Sequence, residues 1–138
     1  MASLSLVLGA LSLAFAGRPH PIAGEWITQD RTAIVLVAPC GAMLCGHVAR
    51  ILARGANVPK TDIHNAQPAL RHRPLVGMPV LTGFSPKGSG WGGGRAYDPK
   101  SGRSYRSTLK VDGDGSLRVT GCVAFICQTQ HWRRAGNR

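Results

Sequence analysis

The residue types that could do chemistry gather in one irregular segment, between Ala53 and Arg73. Asp62, His64 and His72 form a set that could bind a metal ion, since imidazole and carboxylate groups are common ligands of divalent metals. The alternative is that they are surface polar side chains, and this is favoured because no other carboxylate lies near them in the sequence. We therefore predict no metal site and no cofactor.

Asp62 and Asn65 allow two interpretations. In the first they are polar contacts of a binding site that also uses Arg73, with Trp91 and Tyr97 as its apolar wall, because pockets combine apolar walls with a few placed polar groups. In the second they are structural, since Asp and Asn side chains commonly bond the backbone of their own loop and Asp62 could pair with a nearby arginine. Both interpretations remain open from the sequence.

The sequence contains little support for a catalytic motif. The 6 acidic residues are spread among predicted turns, and the chain has no Gly-x-Ser-x-Gly nucleophile elbow. Gly88 to Gly93 carries the letters G-x-G-x-x-G, but no helix-forming segment follows it. Asp112 to Gly115 starts like a calcium-binding EF-hand loop but lacks the distal glutamate. We predict a protein that is not an enzyme and has no catalytic residue.

Four cysteines form two pairs with the same spacing, Cys40 with Cys45 and Cys122 with Cys127. Three pairings are possible for four cysteines. We favour the two local ones, because two cysteines across a hairpin turn can place their Cβ atoms at the short separation a disulfide needs. A four-cysteine zinc site is disfavoured, since such sites use more closely spaced pairs. Disulfides point to an oxidising compartment.

The first 16 residues carry no charge and end in Ala14-Phe15-Ala16, a small-x-small cleavage site. This pattern predicts a secretory signal peptide over residues 1–16, followed by a single domain over residues 17–138. The apolar run is shorter than the about 20 residues that span a bilayer. We therefore expect a periplasmic or secreted protein.

The elements that must position these residues are β-strands. Asp98 to Gly102 has turn chemistry, with proline at the second position and glycine at the exit. Beyond it Tyr105, Leu109 and Val111 share one side of an alternating strand, whose other side is polar. Similar runs recur along the chain and predict an all-β domain, a single small antiparallel barrel of about eight strands with one long loop.

Several short motifs resemble the bacterial domain-of-unknown-function family 2147 (DUF2147), over about Gly24 to Arg134. They are Gly90 to Tyr105, Leu44-Cys45-Gly46, Arg73-Pro74-Leu75 with Gly77, and Gln128-Thr129-Gln130 followed by Trp132 and Arg133. The resemblance implies a lipocalin-like barrel in a secreted or periplasmic protein. No activity comes with it.

Gly24 and Trp26 resemble the Gly-x-Trp motif of the first lipocalin strand. The resemblance implies that Trp26 closes the base of the barrel and packs under an arginine from the last strand. Trp132 is followed by Arg133 and Arg134 at the end of that strand. We assign structural roles to Gly24, Trp26, Trp132 and Arg133.

The charge of the chain is strongly positive, +11 at pH 7 from 17 Lys and Arg against 6 acids. The basic residues are scattered rather than clustered. They are therefore either a solvated outer face or a surface attracted to polyanions such as the anionic lipid of the cell envelope. Nucleic acid is disfavoured, because the few aromatic residues do not alternate with the arginines as a stacking platform requires.

Two functions follow from these features. The first is a binding module that holds a small apolar or amphipathic molecule at the barrel mouth, under the loop from Ala53 to Arg73; a low aromatic content of 6% and 18 glycines favour such a space. The alternative is a cell-envelope structural or interaction protein with a filled barrel and a basic surface that contacts anionic lipid or a protein partner. In either case we expect a monomer or weak dimer. A barrel axis packed by large side chains would remove the main support for the first function. The candidates for such packing are Trp26, Phe84, Trp91, Tyr97 and Trp132.

Overall fold

Eight antiparallel β-strands close into a barrel in the computed structural model, which describes residues 21–136. Each strand pairs with its chain neighbours, and the last strand pairs with the first. The strands are β1 Gly24–Ile27, β2 Ala33–Cys40, β3 Met43–Ile51, β4 Pro79–Lys87, β5 Gly90–Asp98, β6 Arg103–Val111, β7 Leu117–Val123 and β8 Ile126–Arg134. This confirms the predicted all-β barrel. The predicted signal peptide lies outside the described residues.

The connections between strands divide into two ends. One end, the mouth end, carries connections 28–32, 52–78, 99–102 and 124–125, and the other, the base end, carries connections 41–42, 88–89 and 112–116. Within the long connection a short 3-10 helix covers Pro68–Leu70. No helix among residues 21–136 is long and apolar enough to cross a membrane.

Both predicted disulfides are confirmed, and each closes a hairpin. Cys40 and Cys45 join β2 to β3 at the base end, with Cα atoms 5.8 Å apart. Cys122 and Cys127 join β7 to β8 at the mouth end and are directly opposite in the pairing register, with Cα atoms 4.0 Å apart. The four-residue spacing between the cysteines of each pair therefore reflects hairpin geometry.

Large side chains fill the barrel interior. Trp26, Phe84 and Trp132 are buried in one continuous hydrophobic cluster, and the half-buried Trp91 packs against it. Tyr97 also contacts this cluster but lies on the outward side of β5. The other buried members are mainly aliphatic residues from facing strands, including Val35, Val37, Leu44, Val48, Leu81, Leu109, Leu117 and Val119. Three of the five side chains named above as candidates for packing the barrel axis, Trp26, Phe84 and Trp132, are thus buried in the interior.

Glycines allow this filling rather than opposing it. A Cβ atom added to Gly94 would lie 2.4 Å from the ring of Phe84, and one added to Gly46 would lie 2.9 Å from the side chain of Leu81. Phe84 and Leu81 are 0% and 1% exposed. The missing side chains on two strands thus make room for large ones on the strand between them, β4.

Replacing Gly94 with Ala is expected to lower the free energy of unfolding by about 1–3 kcal/mol, because the buried ring of Phe84 must move off its position. Gly113→Ala is the matched control, since a Cβ there meets no atom within 4 Å. Chemical denaturation measures both. Equal stability of the two variants would contradict the close packing of Phe84 on Gly94.

The base of the barrel is closed by Trp26 and an arginine of β8. The indole nitrogen of Trp26 donates a hydrogen bond to the carbonyl of Ile22 at 2.9 Å. The guanidinium of Arg134 lies 4.3 Å from the indole ring centre and donates to the carbonyl of Ala23 at 3.1 Å. The structure therefore places Trp26 under an arginine from the last strand.

The assignment of this role to Arg133 is wrong. In the pairing of β1 with β8, Trp26 stands opposite Arg134, and Arg133 stands opposite Ile27. Successive residues of a strand face opposite sides, so only Arg134 shares the inward side with Trp26. Gly24 belongs to the same contact, because a Cβ atom there would lie 3.1 Å from the Nη1 of Arg134.

Candidate functional site

Asp62 is the centre of a hydrogen-bonded cluster in the long connection, and its side chain is 0% exposed. The hydroxyl of Tyr97 donates to Oδ1 at 2.6 Å. The amide of Asn65 donates to Oδ2 at 2.8 Å, and the Nε of Arg73 donates to the same oxygen at 3.0 Å. The Nη2 of Arg73 adds an ion pair at 2.9 Å. Both carboxylate oxygens are thus occupied.

Backbone pairing brings Asp62 and Arg73 together although they are 11 residues apart. Thr61 and Pro74 form an antiparallel bridge, and the amide of Asp62 donates to the carbonyl of Arg73 at 3.0 Å. The chain between them is therefore a closed loop with a paired neck. This neck fixes the two charged side chains on neighbouring segments before they interact.

Asn65 organises the inside of that loop. It is 7% exposed. Its side-chain oxygen accepts the amide of Gln67 at 2.8 Å, and its backbone carbonyl accepts the Nε of Arg71 at 2.8 Å. Asn65 thus links the Asp62 carboxylate to the backbone just before the 3-10 helix, which is the structural role expected of such side chains.

The charge state of the cluster is set by these contacts. Burial acts to raise the pKa of Asp62, but the hydrogen bonds from Tyr97, Asn65 and Arg73 outweigh it and hold the pKa below its ordinary value. Burial and the bond to Asp62 raise the pKa of Tyr97 to about 12. At neutral pH an ionised carboxylate therefore accepts from a neutral phenol.

The cluster lies on the outer wall of the barrel and not across its open end. Arg95 is exposed and pairs with exposed Thr82 and Arg106, so Tyr97, two residues later on the same strand, also faces outward beside exposed Ser104. The predicted position at the barrel mouth is therefore wrong. The loop was assigned to the correct end, but it folds back along strands β4 to β6.

Gly102 seats the loop against this wall. A Cβ atom at Gly102 would lie 1.8 Å from the carbonyl oxygen of His64, and the residue has a φ of +69°. No side chain fits there, and the backbone conformation itself favours glycine. The turn between β5 and β6 and the loop around Asp62 therefore touch backbone to backbone.

A cleft of about 310 Å³ opens between the loop and the outer wall. Its apolar lining comes from Leu70, Pro79 and Val80, and its polar lining includes Gln67, Arg73, Arg95 and Tyr97. Thr82 and Ser104 also line it and occupy the outward positions of β4 and β6. Asn65, Arg73 and Tyr97 of the Asp62 cluster belong to the lining of this cleft.

Four of the five predicted site residues come together and one does not. Asp62, Asn65, Arg73 and Tyr97 form the cluster, whereas Trp91 lies at the other end of β5. There it packs against the core and lines a second cleft of about 240 Å³. The residue types of the five were compatible with one site, but Trp91 and Tyr97 differ in both position and strand face.

The sequence interpretation missed Arg95, Leu70 and Val80. Arg95 had a usable signal, since it alternates with Tyr97 on the same strand and therefore shares its face. Leu70 and Val80 had no such signal in the sequence, because they meet in the cleft lining only when the loop folds onto the barrel. Within residues 21–136, no group of three or more His, Cys, Asp or Glu is placed to hold a metal ion.

Comparison with known proteins supports the fold. The family DUF2147, described as an uncharacterized protein conserved in bacteria, matches residues 24–134. Among solved structures, protein HP1028 from Helicobacter pylori, described as belonging to the lipocalin family, is similar with a TM-score of 0.72 and 21% identity, covering 83% of each chain. At that identity the similarity shows the fold alone. No curated protein matches.

Proposed function

We propose that this chain, which belongs to the bacterial family DUF2147, is an exported binding module that holds a small amphipathic molecule with an anionic group in the cleft beside Asp62. The lipocalin-like fold supports a binding function. The two disulfides support an exported location.

The observation that carries the proposal is the combination of apolar and cationic residues in the cleft lining. Leu70, Pro79 and Val80 supply apolar surface, and Arg95 stands on β5, the strand next to β4. Binding sites typically combine such a wall with a few placed polar groups, and volumes near 300 Å³ are at the small end of their range. A short hydrocarbon chain with an acidic head group can contact the apolar residues and Arg95 at the same time.

Arg95 is the residue that selects the anion. Arg73 also lines the cleft, but its charge is already paired with Asp62. Arg95 is exposed and forms no ion pair with any other residue in the part of the chain that the structure describes. Its planar guanidinium can bind a carboxylate or phosphate with two parallel hydrogen bonds.

Decanoate is a suitable probe of this site, titrated by isothermal calorimetry. Arg95→Gln is expected to weaken its binding by about tenfold or more, because a hydrogen-bonded charge pair is lost. Arg106→Gln is the matched control, since Arg106 is the exposed partner of Arg95 on β6 and lies outside the cleft lining. Equal weakening by both variants would indicate only general attraction to a basic surface.

Native mass spectrometry of protein purified from its own envelope tests the proposal without choosing a ligand. A retained small acidic amphiphile that is lost from Arg95→Gln and kept by Arg106→Gln is the expected result. Protein that is free of any such molecule, together with no binding of decanoate, would contradict the binding function.

The packed barrel interior favours a second candidate, a cell-envelope interaction protein that uses its basic surface against anionic lipid or a protein partner. This candidate does not need a ligand in the cleft. It would take precedence if the calorimetric titrations showed no saturable binding.

A further inference from the structure

The turn between β7 and β8 exposes an apolar tip at the mouth end of the barrel. Phe125 is 103% exposed, Ile126 74% and Val123 59%. The fourth tip residue, Ala124, is also exposed. Four consecutive apolar residues at the most exposed point of a hairpin are unusual for a chain that stays in water, and such patches mark interaction sites.

The tip is held rigid at its stem. Cys122 and Cys127 are directly opposite each other and form a disulfide immediately behind the four residues. Thr120 and Thr129 are hydrogen-bonded across the strands two residue pairs further back, at 3.0 Å. The apolar side chains therefore project from a fixed support and cannot fold back onto the barrel without breaking these links.

The connections at the two ends of the barrel differ in charge. The connections at the mouth end, 28–32, 52–78, 99–102 and 124–125, contain six basic and two acidic residues. The connections at the base end, 41–42, 88–89 and 112–116, contain two acidic residues and no basic one. The apolar tip thus lies at the end whose connections carry basic residues, which include exposed Arg31, Arg54, Lys60 and Arg71.

We propose that the β7–β8 hairpin tip inserts into the surface of an anionic lipid bilayer while the basic connections around it contact the headgroups. A short convex tip suits a bilayer interface, where apolar side chains enter the headgroup boundary and basic side chains stay at the anionic surface. This interaction does not rest on the cleft beside Asp62, which lies on the wall of β4 to β6.

Sedimentation with lipid vesicles tests the proposal. The wild-type protein is expected to bind vesicles of phosphatidylglycerol mixed equally with phosphatidylcholine, to bind pure phosphatidylcholine far more weakly, and to lose binding at high salt. The double variant Phe125→Ser with Ile126→Ser is expected to lower the vesicle partition coefficient by about tenfold or more. Both side chains are exposed, so the fold does not depend on them.

Met43→Ser is the matched control, because Met43 is 48% exposed in the other disulfide-closed hairpin, at the base end. It is expected to bind vesicles like the wild type. Unchanged vesicle binding by the tip variant would overturn the proposal. The proposal would also be overturned if the wild-type protein did not bind anionic vesicles. A wild-type protein that does not bind them but forms a dimer through the tip, which the double variant abolishes, would be one such result.

Phe125→Trp gives a direct reading of insertion. Trp26 and Trp132 are buried, and the half-buried Trp91 lies at the base end of β5, away from the tip. A change in emission on adding anionic vesicles, compared with the wild type, therefore reports mainly the new tryptophan. A blue shift is expected, and an unshifted emission in vesicle-bound protein would overturn insertion. Decanoate binding by the double variant should equal that of the wild type, so the tip and cleft proposals can fail separately.

Discussion

Replacing Asp62 with Ala should lower the free energy of unfolding by about 2–4 kcal/mol, because three donors lose their acceptor at a fully buried position. The side chain links the loop neck to the barrel wall through Tyr97, so the loop around Asn65 should also lose protection from amide exchange. Chemical denaturation gives the first quantity and hydrogen exchange the second.

Asp98→Ala is the control for this substitution. Asp98 lies one residue after Tyr97, and its carboxylate accepts the amide of Lys100 in an exposed turn at 3.0 Å. A cost of less than about 1 kcal/mol is expected there. If Asp62→Ala cost no more than Asp98→Ala, the cluster would not be what fixes the loop.

The stability contributed by Asp62 also depends on pH. Because its pKa is lowered in the folded protein, the contribution is fully present above the unfolded pKa of about 4 and is lost as the pH falls through the lower folded value. The stability difference between the wild type and Asp62→Asn should therefore shrink in acid below pH 4. A difference that stays constant as the pH falls well below 4 would mean that the carboxylate is not stabilised in its ionised form.

Tyr97 gives the opposite dependence. Its pKa is raised from 10.0 to about 12, so its neutral hydroxyl contributes stability that is present below pH 10 and lost as the pH rises through about 12. Tyr97→Phe removes this contribution at all pH values. The wild type and that variant should converge in strong alkali.

Replacing Trp26 with Ala should cost about 3–5 kcal/mol, the largest effect of any single substitution considered. The side chain is 0% exposed and lies within the main hydrophobic cluster. The substitution also removes the hydrogen bond to Ile22 and the ring under Arg134. Trp26→Phe keeps most of the buried area and should cost less than half as much.

The arginine over this ring can be identified by two parallel substitutions. Arg134→Gln should cost about 1 kcal/mol, from the cation-π contact and the bond to the carbonyl of Ala23. Arg133→Gln, on the outward side, should be neutral within about 0.5 kcal/mol. A larger effect at Arg133 would contradict the observed register of β1 and β8.

Hairpins and disulfides were predictable because their determinants are local. The turn from Asp98 to Gly102 and the two equally spaced cysteine pairs each lie within a few residues. The choice between Arg133 and Arg134 was not, because it depends on the register between the first and last strands, more than 100 residues apart. A register difference of one residue exchanges the inward and outward sides.

The filling of the barrel interior also could not be predicted from local sequence patterns. A glycine-rich strand either leaves a cavity or receives a large side chain from its neighbour, and the sequence alone does not say which. Phe84 on Gly94 decides the question, and the two residues meet only because β4 and β5 pair with a particular offset. The loop folding onto the outer wall is unpredictable for the same reason, since it depends on Asp62 reaching Tyr97 across 35 residues.

The central claim is that a ligand binds on the outer wall of a filled barrel, and nuclear magnetic resonance of the isotope-labelled protein titrated with decanoate tests it directly. Saturable shifts are expected for the amides of Thr82, Arg95 and Tyr97, which line the cleft, with little change at Ser107 and Leu109, which face inward. Shifts concentrated at the inward-facing amides would contradict the claim by placing the ligand inside the barrel, and no saturable shift at any amide would contradict binding itself.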